Sequence, residues 1–441
     1  MNILFALYGD FRSNSANPLA LYARELRALG HTCAVAVPAN LEESIKVYED
    51  HTFIPVLYAD VLSAPDSVFP DGRPADVIHA CTPREIVREF VTSYMAKRPT
   101  PLVVYLEDNE RWLALRELGL QEDSLSAETD LSIARRLPDY LSHPFRYERF
   151  LGLADAVAVI QDKLKREVPP GVYCDTIMLG ADLEFFSPRL PDPRLRSQYG
   201  VGEKERVIVY HGGVDQFKKP AIETLCHAVG IVNNRGYPCK LLRTGVRPLD
   251  FLETFPPQSR SVIKDLGFLP KAELPGILSL ADVFVQPGEL NPFEDLRLPG
   301  KVPEFLAMGR PVIMPDVNVA HMFTDGVNAV LLRTGSAEEI ADKCVALFSN
   351  PEKADAIGRA GRRMAEQYFD VKRQAKRLEN LYKTACGNVA RLIAASKVWQ
   401  LEKRIDDLNR MVVELVNSRS WKMTRPLRVL ERSVRSWFHP R

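Results

Sequence analysis

The sequence predicts an α/β protein: two doubly wound parallel-sheet domains followed by a helical tail. Along residues 1–385, short apolar runs alternate with helical segments, which is the pattern of parallel strands joined by crossover helices. The alternation starts afresh near residue 206, after the proline-rich segment 186–193. Beyond residue 385 the strand pattern ends and a heptad repeat replaces it.

The first series opens with a continuous apolar run at residues 2–8, typical of a strand buried on both faces. A helix is predicted to begin at Asn17-Pro18 and to end at Gly30. The remaining elements of this series are strands at 33–37, 76–80, 101–106 and 156–160 and a helix at 83–97.

The second series predicts another sheet of the same kind. Because the carboxyl ends of parallel strands meet at one edge of a sheet, a ligand is expected in the cleft between two such edges. Strands are predicted at 206–210, 240–243, 281–286, 311–314 and 329–332, and helices at 220–234, 303–308, 337–348 and 353–368. The expected divisions of the chain are 1–184, 185–385, 386–417 and 418–441.

Composition indicates a folded chain with no general affinity for nucleic acid. Hydrophobic residues make up 46% and charged residues 26% of the 441, a globular composition. Lys and Arg number 58 against 57 Asp and Glu, so the net charge of +1 creates no field that attracts polyanions. Positive charge is concentrated in residues 418–441, which hold seven Lys or Arg and one Glu.

The distribution of cysteines and apolar residues points to a cytoplasmic protein. The seven cysteines are scattered and form no Cys-x-x-Cys pair, which argues against a disulfide framework or a zinc site and favours a reducing compartment. No basic leader precedes the first apolar run, and no window of about 18 apolar residues occurs. We therefore expect neither a signal peptide nor a spanning helix.

The turn after the first strand of the second series is a candidate phosphate site. Hydride transfer would need Gly-x-Gly-x-x-Gly after a first strand, and neither series has it. Instead, Gly212 and Gly213 precede Lys218 and Lys219 at the start of a helix. Free backbone N–H groups, close approach at glycine and two cations suit a diphosphate. Taken alone, the pattern also fits a solvated lysine pair.

A second cluster lies within residues 290–312. Arg297, Lys301 and Glu304 are spaced four and three residues apart, so they can share one side of a loop that enters a helix. A carboxylate there can accept hydrogen bonds from ribose hydroxyls while the cations face phosphates. We expect this cluster and the lysine turn to meet at the same cleft.

The segment after residue 385 contains a heptad seam of under three heptads. Two interpretations are open: self-association through residues 398–415, giving a homo-oligomer, and packing of the helix onto the body. The seam consists of Val398, Leu401, Ile405, Leu408, Val412 and Leu415.

The final residues predict a basic amphipathic helix that lies on an anionic membrane surface. Leu427, Leu430, Val434, Trp437 and Phe438 share one face. The alternative is docking of this tail on an acidic surface of the protein itself. The residues expected at the membrane are Trp421, Arg425, Arg428, Arg432, Arg435 and Trp437.

In order along the chain, five segments resemble retaining glycosyltransferases of the GT-B fold, family 4, of the bacterial surface-polysaccharide type. The resemblance extends over residues 1 to about 385. It implies two Rossmann-like domains facing each other across a cleft, the first binding the acceptor and the second a nucleotide-diphosphate sugar. The segments are 76–84, 154–160, 180–186, 212–219 and 299–312.

The resemblance also implies roles for individual residues. Lys218, or Lys219 in an alternative register, contacts the donor diphosphate, and Glu304 holds the nucleotide ribose. Arg297 and Lys301 match a variant of the motif that reads Arg-x-Pro-x-Lys-x-x-Glu. Gly212 and Gly213 belong to the phosphate turn, and the backbone around Phe268 to the site of the base.

Three positions depart from the family's pattern. The arginine often found after the glycine of the phosphate turn is Gly213 here. The first glutamate of the Glu-x7-Glu motif falls on Leu296, with Asn291 or Glu294 as replacements. The first-domain histidine near the acceptor corresponds to Glu107, which is followed by Asp108.

The expected reaction is transfer of a hexosyl-type sugar to a glycan or lipid-linked acceptor with retention of configuration, without a metal or other cofactor. Lys218, Arg297 and helix N-termini would stabilise the leaving diphosphate. Glu107 or Asp108 would position the acceptor hydroxyl, unless they only pair with the arginines of helix 111–116.

Residues 418–428 resemble the end of some bacterial surface-polysaccharide enzymes, which implies an acceptor on a membrane lipid and a peripheral location at the inner face of the plasma membrane. Two other functions compete with a transferase. A GT-B sugar-nucleotide epimerase would not need a membrane-seeking tail. A catalytically silent homologue that binds nucleotide or acts as a scaffold is kept open by Gly213 and the incomplete glutamate motif.

Overall fold

A computed structural model of the chain describes residues 1–48, 50–214, 218–248, 251–255, 257–387 and 389–424. It confirms the predicted fold class: two parallel sheets, each with crossover helices, and a helical C-terminal region. The first sheet has seven strands in the order β3-β2-β1-β4-β5-β6-β7. These are β1 Asn2–Leu7, β2 Thr32–Val37, β3 Ile54–Leu57, β4 Val77–Cys81, β5 Leu102–Leu106, β6 Ala156–Val159 and β7 Cys174–Thr176.

The continuous apolar run at the amino terminus forms the centre of this sheet. Strand β1 is buried along its whole length and pairs in parallel with β2 on one side and β4 on the other, Phe5 lying opposite Val35 and His79. The helices of this domain are α1 Ala16–Ala28, α2 Leu41–Ser44, α3 Tyr58–Ser63, α4 Glu85–Lys97, α5 Glu110–Leu118, α6 Asp130–Ala134 and α7 Tyr147–Leu153.

The first helix begins slightly earlier than the sequence predicted. Ser15 is its N-cap and Ala16 its first residue, so Pro18 lies inside the first turn. A proline is tolerated there because the first N–H groups of a helix have no intrahelical partner. Gly30 follows the helix with a φ of 86°, as expected for its end.

The second sheet has six strands in the order β10-β9-β8-β11-β12-β13. These are β8 Arg206–His211, β9 Cys239–Thr244, β10 Ile263–Asp265, β11 Val283–Val285, β12 Val312–Pro315 and β13 Val330–Leu332. Its helices are α8 Pro193–Gln198, α9 Lys219–Asn234, α10 Pro257–Ser261, α11 Leu274–Ser279, α12 Pro292–Leu296, α13 Lys301–Ala307, α14 Ala337–Phe348 and α15 Pro351–Tyr368.

Helix α16 (Val371–Cys386) returns to the first domain although it follows the second in the chain. The Tyr382 hydroxyl is 2.7 Å from His79 Nδ1 on β4, and both side chains are buried. The Gln374 side chain accepts a hydrogen bond from the Met178 N–H at 3.0 Å. The two domains are therefore connected twice, through the link near residue 186 and through the segment that leads into α16.

The last described helices are α17 Val389–Asn417 and α18 Arg419–Met423. Helix α17 packs on α4 of the first domain, where the Arg88 guanidinium donates to both oxygens of Asp406 at 2.9 Å. Trp421 in α18 is half-buried. None of the helices in the described ranges has the length and apolar character needed to cross a membrane. The predicted membrane residues Arg425, Arg428, Arg432, Arg435 and Trp437 lie outside the described residues.

Candidate active site

A pocket lies where the carboxyl ends of the two sheets face each other. Its volume is about 810 Å³ when the part open to solvent is counted. Side chains from both domains line it, with Trp112 and Arg116 of α5 on one side and the second domain on the other. Four lining side chains are cationic (Arg116, Lys218, Arg297 and Lys301) and two are acidic (Glu289 and Glu294).

The glycine turn after β8 passes directly under one of these cations. Gly212 has a φ of 142°, and a Cβ added to it would lie 2.0 Å from Lys301 Cε. Only glycine leaves room for this crossing, because any larger residue would displace the lysine side chain. A Cβ on Gly213 would meet nothing closer than the Val246 carbonyl oxygen at 3.5 Å. The two glycines therefore have different roles, and Gly212 is the one whose missing side chain leaves room for Lys301.

The two lysines at the start of α9 point to different surroundings. Lys218 is the N-cap residue of α9 and lines the pocket. Lys219 is the first residue of the helix, and its Nζ lies 3.8 Å from Glu223 one turn further on. Of the two registers, the structure brings Lys218 to the pocket.

The loop before α13 brings the predicted donor residues together. Arg297 is the C-cap of α12, and Lys301 begins α13 after three intervening residues. The Arg297 guanidinium pairs with Glu294 at 3.0 Å. Burial raises the pKa of Glu294 and the Arg297 charge lowers it, while the Asp108 carboxylate of the first domain raises it further. The pKa of Glu294 is raised overall, and Asp108 is close enough to contribute although it is not among the residues that line the pocket.

The two candidates for the missing glutamate differ in what their side chains do. The Asn291 side chain caps α12, accepting from the Phe293 and Glu294 N–H groups at 3.1 and 2.9 Å. Glu294 directs its carboxylate to Arg297 in the pocket, and Leu296 is fully buried. Both Asn291 and Glu294 line the pocket, and of these two candidates Glu294 is the one that brings a carboxylate to it.

Glu304 is held by a residue that the sequence analysis did not single out. Its Oε2 lies 2.5 Å from His211 Nε2 at the end of β8. His211 directly precedes the glycine turn, and this position could have identified it. Neither Glu304 nor Phe268 is among the residues that line the pocket, and Phe268 is 72% exposed.

On the first-domain side, Glu107 follows β5 directly and so lies at the carboxyl edge of the sheet. Ser15 donates a hydrogen bond to its carboxylate. Burial raises the pKa of Glu107 to about 7, and the Ser15 hydrogen bond only partly offsets this. A carboxyl group with that pKa can gain or lose a proton near neutral pH.

Asp108 pairs with Arg84 at 3.3 Å, and the Arg84 guanidinium stacks 3.9 Å from the Tyr8 ring centroid. Arg111 pairs instead with Glu122 and Glu148. The expectation that Glu107 and Asp108 pair with the arginines of helix 111–116 is therefore wrong for Asp108. Its partner is Arg84, a buried cation that follows the neighbouring strand β4.

Three contacts join the domains next to the pocket. The rings of Trp112 and Phe293 stack with centroids 4.6 Å apart and planes 17° from parallel. Gln161 donates to the Asp295 carbonyl oxygen at 2.7 Å, and Lys163 forms an ion pair with the Asp295 carboxylate. None of these contacts was predicted from the sequence. A pointer to Trp112 was available, since it is the one tryptophan outside the last 43 residues.

Among the described residues, no group of three or more His, Cys, Asp or Glu side chains is disposed to hold a metal ion. A family model matches the part of the second domain that lines the pocket. The model described as Glycosyl transferases group 1 matches residues 205–350, which contain the glycine turn, the lysine pair and the 290–312 cluster. Residues 205–350 carry a glycosyl transferases group 1 domain. A comparison with curated proteins finds no match.

Solved glycosyltransferase structures share the two-domain GT-B fold. Anabaena Alr3699/HepE in complex with UDP and glucose is 17% identical, with a TM-score of 0.64 over 87% of this chain and 100% of that one. A glycosyltransferase from Rickettsia africae ESF-5 is 12% identical, with a TM-score of 0.65 over 88% and 99%. WaaG, a glycosyltransferase involved in lipopolysaccharide biosynthesis, is 15% identical, with a TM-score of 0.56 over 85% and 98%.

Proposed function

We propose that this protein is a retaining glycosyltransferase that moves a hexosyl-type sugar from a nucleotide-diphosphate sugar to a glycan or lipid-linked acceptor. The observation that carries the proposal is the cationic pocket at the carboxyl edge of a glycosyl transferases group 1 domain. The similar fold of HepE, solved with UDP and glucose, supports a nucleotide sugar as the donor.

The second domain would bind the donor and stabilise its departure. Lys218 and the N-terminus of α9 face the diphosphate, and Arg297 and Lys301 flank it from the opposite loop. Negative charge grows on the diphosphate as the bond to the sugar breaks, so fixed cations stabilise the transition state more than the ground state. Glu304, oriented by His211, would accept the ribose hydroxyls. We expect these groups to act without a metal.

The first domain would supply the acceptor. In a retaining transfer, the acceptor hydroxyl forms its bond to the anomeric carbon on the face from which the diphosphate leaves. The hydroxyl proton passes to the departing phosphate oxygen, so the charges balance without a further reactant. Glu107 would accept a hydrogen bond from the acceptor and fix the direction of the hydroxyl, with Asp108 beside it.

The biological setting that we propose is cell-surface polysaccharide synthesis at the inner face of the plasma membrane. The likeness to WaaG and the basic residues of 418–441 support it. Deleting 418–441 should abolish binding of the protein to vesicles containing phosphatidylserine, since each basic residue contributes about 1 kcal/mol at an anionic surface. The substitution of Arg425, Arg428, Arg432 and Arg435 by Gln should have nearly the same effect. Unchanged binding by both variants would refute the membrane role.

A thermal-shift screen against GDP, UDP, ADP and dTDP tests the donor site directly. A nucleotide that binds the folded protein raises Tm by mass action. One of the four should stabilise the protein, and Lys218→Ala should reduce that shift. Lys219→Ala is the matched control, because it removes the same charge from the adjacent position while its partner is Glu223. Equal losses in both variants, or no shift with any nucleotide, would contradict the proposed site.

The substitution Glu304→Ala separates a transferase from its competitors. A transferase should lose release of nucleoside diphosphate from the donor sugar when acceptor is present, and its cellular role with it. A scaffold should keep its cellular role without this carboxylate. An epimerase would convert the nucleotide sugar without any acceptor, a reaction that chromatography of the sugar nucleotide detects.

A further inference from the structure

Helix α17 is attached to the first domain by its polar side. Arg88 of α4 binds Asp406, and both side chains are 3% exposed. Arg149 pairs with Glu402 at 2.9 Å, and Arg410 pairs with Glu89 at 3.2 Å. The buried Trp399 meets the Phe150 ring edge-on. These contacts fix the rotation of α17 about its own axis and so determine which face it turns outward.

The outward face is the heptad seam. All six of its apolar side chains are between 38% and 59% exposed, and Met411 beside them is 62% exposed. The second interpretation of this segment, packing onto the body, is therefore correct for the helix and does not account for the seam. A row of six exposed Val, Ile and Leu side chains spanning about 26 Å of one helix is unusual on a monomer surface.

The order of side chains along the seam specifies the kind of partner. Positions a of the heptads are Val398, Ile405 and Val412, all β-branched, and positions d are Leu401, Leu408 and Leu415. β-Branched residues at a with leucine at d favour two parallel strands, because their side chains pack well in the two different layers of such a pair. A second copy of this chain has the same residues at positions a and d, so it is the partner that this pattern favours.

Charges beside the seam agree with a protein partner and a parallel register. Residues 397–417 contain four basic and four acidic side chains, so this helix has no net attraction to anionic lipid, unlike 418–441. In a parallel in-register pair, position g of one helix faces position e of the other; at the first such pair Lys397 meets no like charge, and Glu402 at e already binds Arg149. At the second g–e pair Arg404 faces the neutral Asn409. At the third pair Met411 faces Val416, and these two side chains extend the apolar core.

We propose that the protein is a homodimer in which two copies of α17 form a short parallel coiled coil through residues 398–415. An isolated seam of this length is marginal because the helix must form as it associates. Here α17 is already held in place by the first domain, so association does not bear that cost. The parallel arrangement brings both 418–441 segments out at the same end, where their basic residues act together on one surface.

The mass of the full-length protein across a concentration series, by sedimentation equilibrium, tests dimer formation. The unaltered chain should have twice the mass of one chain, and Leu408→Glu should halve the measured mass. Both Leu408 and the control position Gln400 are exposed, so neither change should impair folding. Gln400→Glu adds the same charge to the same helix away from the seam and should leave the dimer intact. A monomer in the unaltered protein, or a dimer that survives Leu408→Glu, would refute the proposal.

Oxidative cross-linking tests the orientation. In a parallel in-register pair Leu415→Cys lies opposite its own copy and should form a covalent dimer, which the unaltered chain with its seven cysteines should not. In an antiparallel pair residue 415 lies opposite residue 398 instead. Cross-linking that requires Val398→Cys together with Leu415→Cys would overturn the parallel arrangement.

Discussion

The two walls of the cleft are built from similar sheets but differ in their charged groups, although Arg116 also places a cation on the first-domain side. On the second-domain wall, Lys218, Arg297 and Lys301 line the pocket. On the first-domain wall, Glu107 and Asp108 follow β5, and Arg84 is the cation beside them. A cationic wall suits a leaving diphosphate, and an acidic wall suits a neutral hydroxyl that must be oriented rather than held by charge. Under the proposed function, we expect this difference to separate the donor side of the cleft from the acceptor side.

The largest expected effect comes from disturbing the cationic wall at Gly212. Gly212→Ala places a Cβ where Lys301 Cε lies and strains the backbone at a φ of 142°, so the lysine must move. We expect kcat/KM to fall by about 10²–10³-fold, as for the loss of one transition-state donor. Gly213→Ala has ordinary space and should be nearly neutral. Equal effects of both changes on the steady-state rate would show that Lys301 is not the group affected.

Glu107→Gln tests the acidic wall, with an expected loss of about 10²-fold. If the carboxylate form is needed, kcat/KM of the unaltered protein should rise with pH through about 7, and the Gln variant should lose that rise. The folded-state pKa is above the unfolded one, so the folded protein binds the extra proton between pH 4.5 and 7. Stability should therefore fall as pH rises through this window, and the Gln variant should gain Tm at pH above 7. A pH–rate profile and melting curves at both ends of the range measure this.

The contact between the walls should have a smaller effect. Trp112→Ala removes the stack on Phe293, which is worth about 1 kcal/mol beyond its buried area, so the closed cleft should be less populated. We expect KM for the donor to rise about fivefold, with kcat changed less. Trp112→Phe keeps an aromatic partner and should restore most of the affinity. A loss confined to kcat would place Trp112 in the chemical step instead.

The smallest expected effect is that of metal removal. If the cations of the second-domain wall carry the leaving-group charge themselves, EDTA should leave the initial rate unchanged within about twofold. A rate that falls on chelation and recovers with Mg²⁺ or Mn²⁺ would show that the cationic wall is not sufficient.

The accuracy of the predictions made from the sequence differs between the central and the edge strands of each sheet. The buried central strands were predicted within one or two residues, because burial on both faces leaves a continuous apolar run. Strands β3, β7 and β10 were not predicted, and all three are edge strands. Strands β7 and β10 lack the apolar run that marks a central strand, and the apolar run of β3 contains Pro55, a residue uncommon in central strands.

More residues of the proposed donor site than of the proposed acceptor site could be predicted from the sequence. Lys218, Glu294, Arg297 and Lys301 lie on two local turns with their own spacing, and the structure brings them to one pocket. Contacts between distant parts of the chain around this pocket were not predictable in this way. His211 and Glu304 are 93 residues apart, and Trp112 meets Phe293 from the other domain. No local pattern marks such a pair, because each residue alone fits an ordinary helix or strand end.

The sequence by itself determined the two-sheet architecture, the turn that presents Lys218 and the heptad spacing of residues 398–415. These depend on periodic burial and on turn chemistry, which act over a few neighbouring residues. Only the tertiary structure decided that Lys218 rather than Lys219 lines the pocket, that burial brings Glu107 to a pKa of about 7, and that α17 turns its apolar seam outward. Each of these outcomes depends on which surface is covered by a distant part of the chain. The Arg88–Asp406 pair is an example, because these residues are 318 positions apart and their contact fixes which face α17 turns outward.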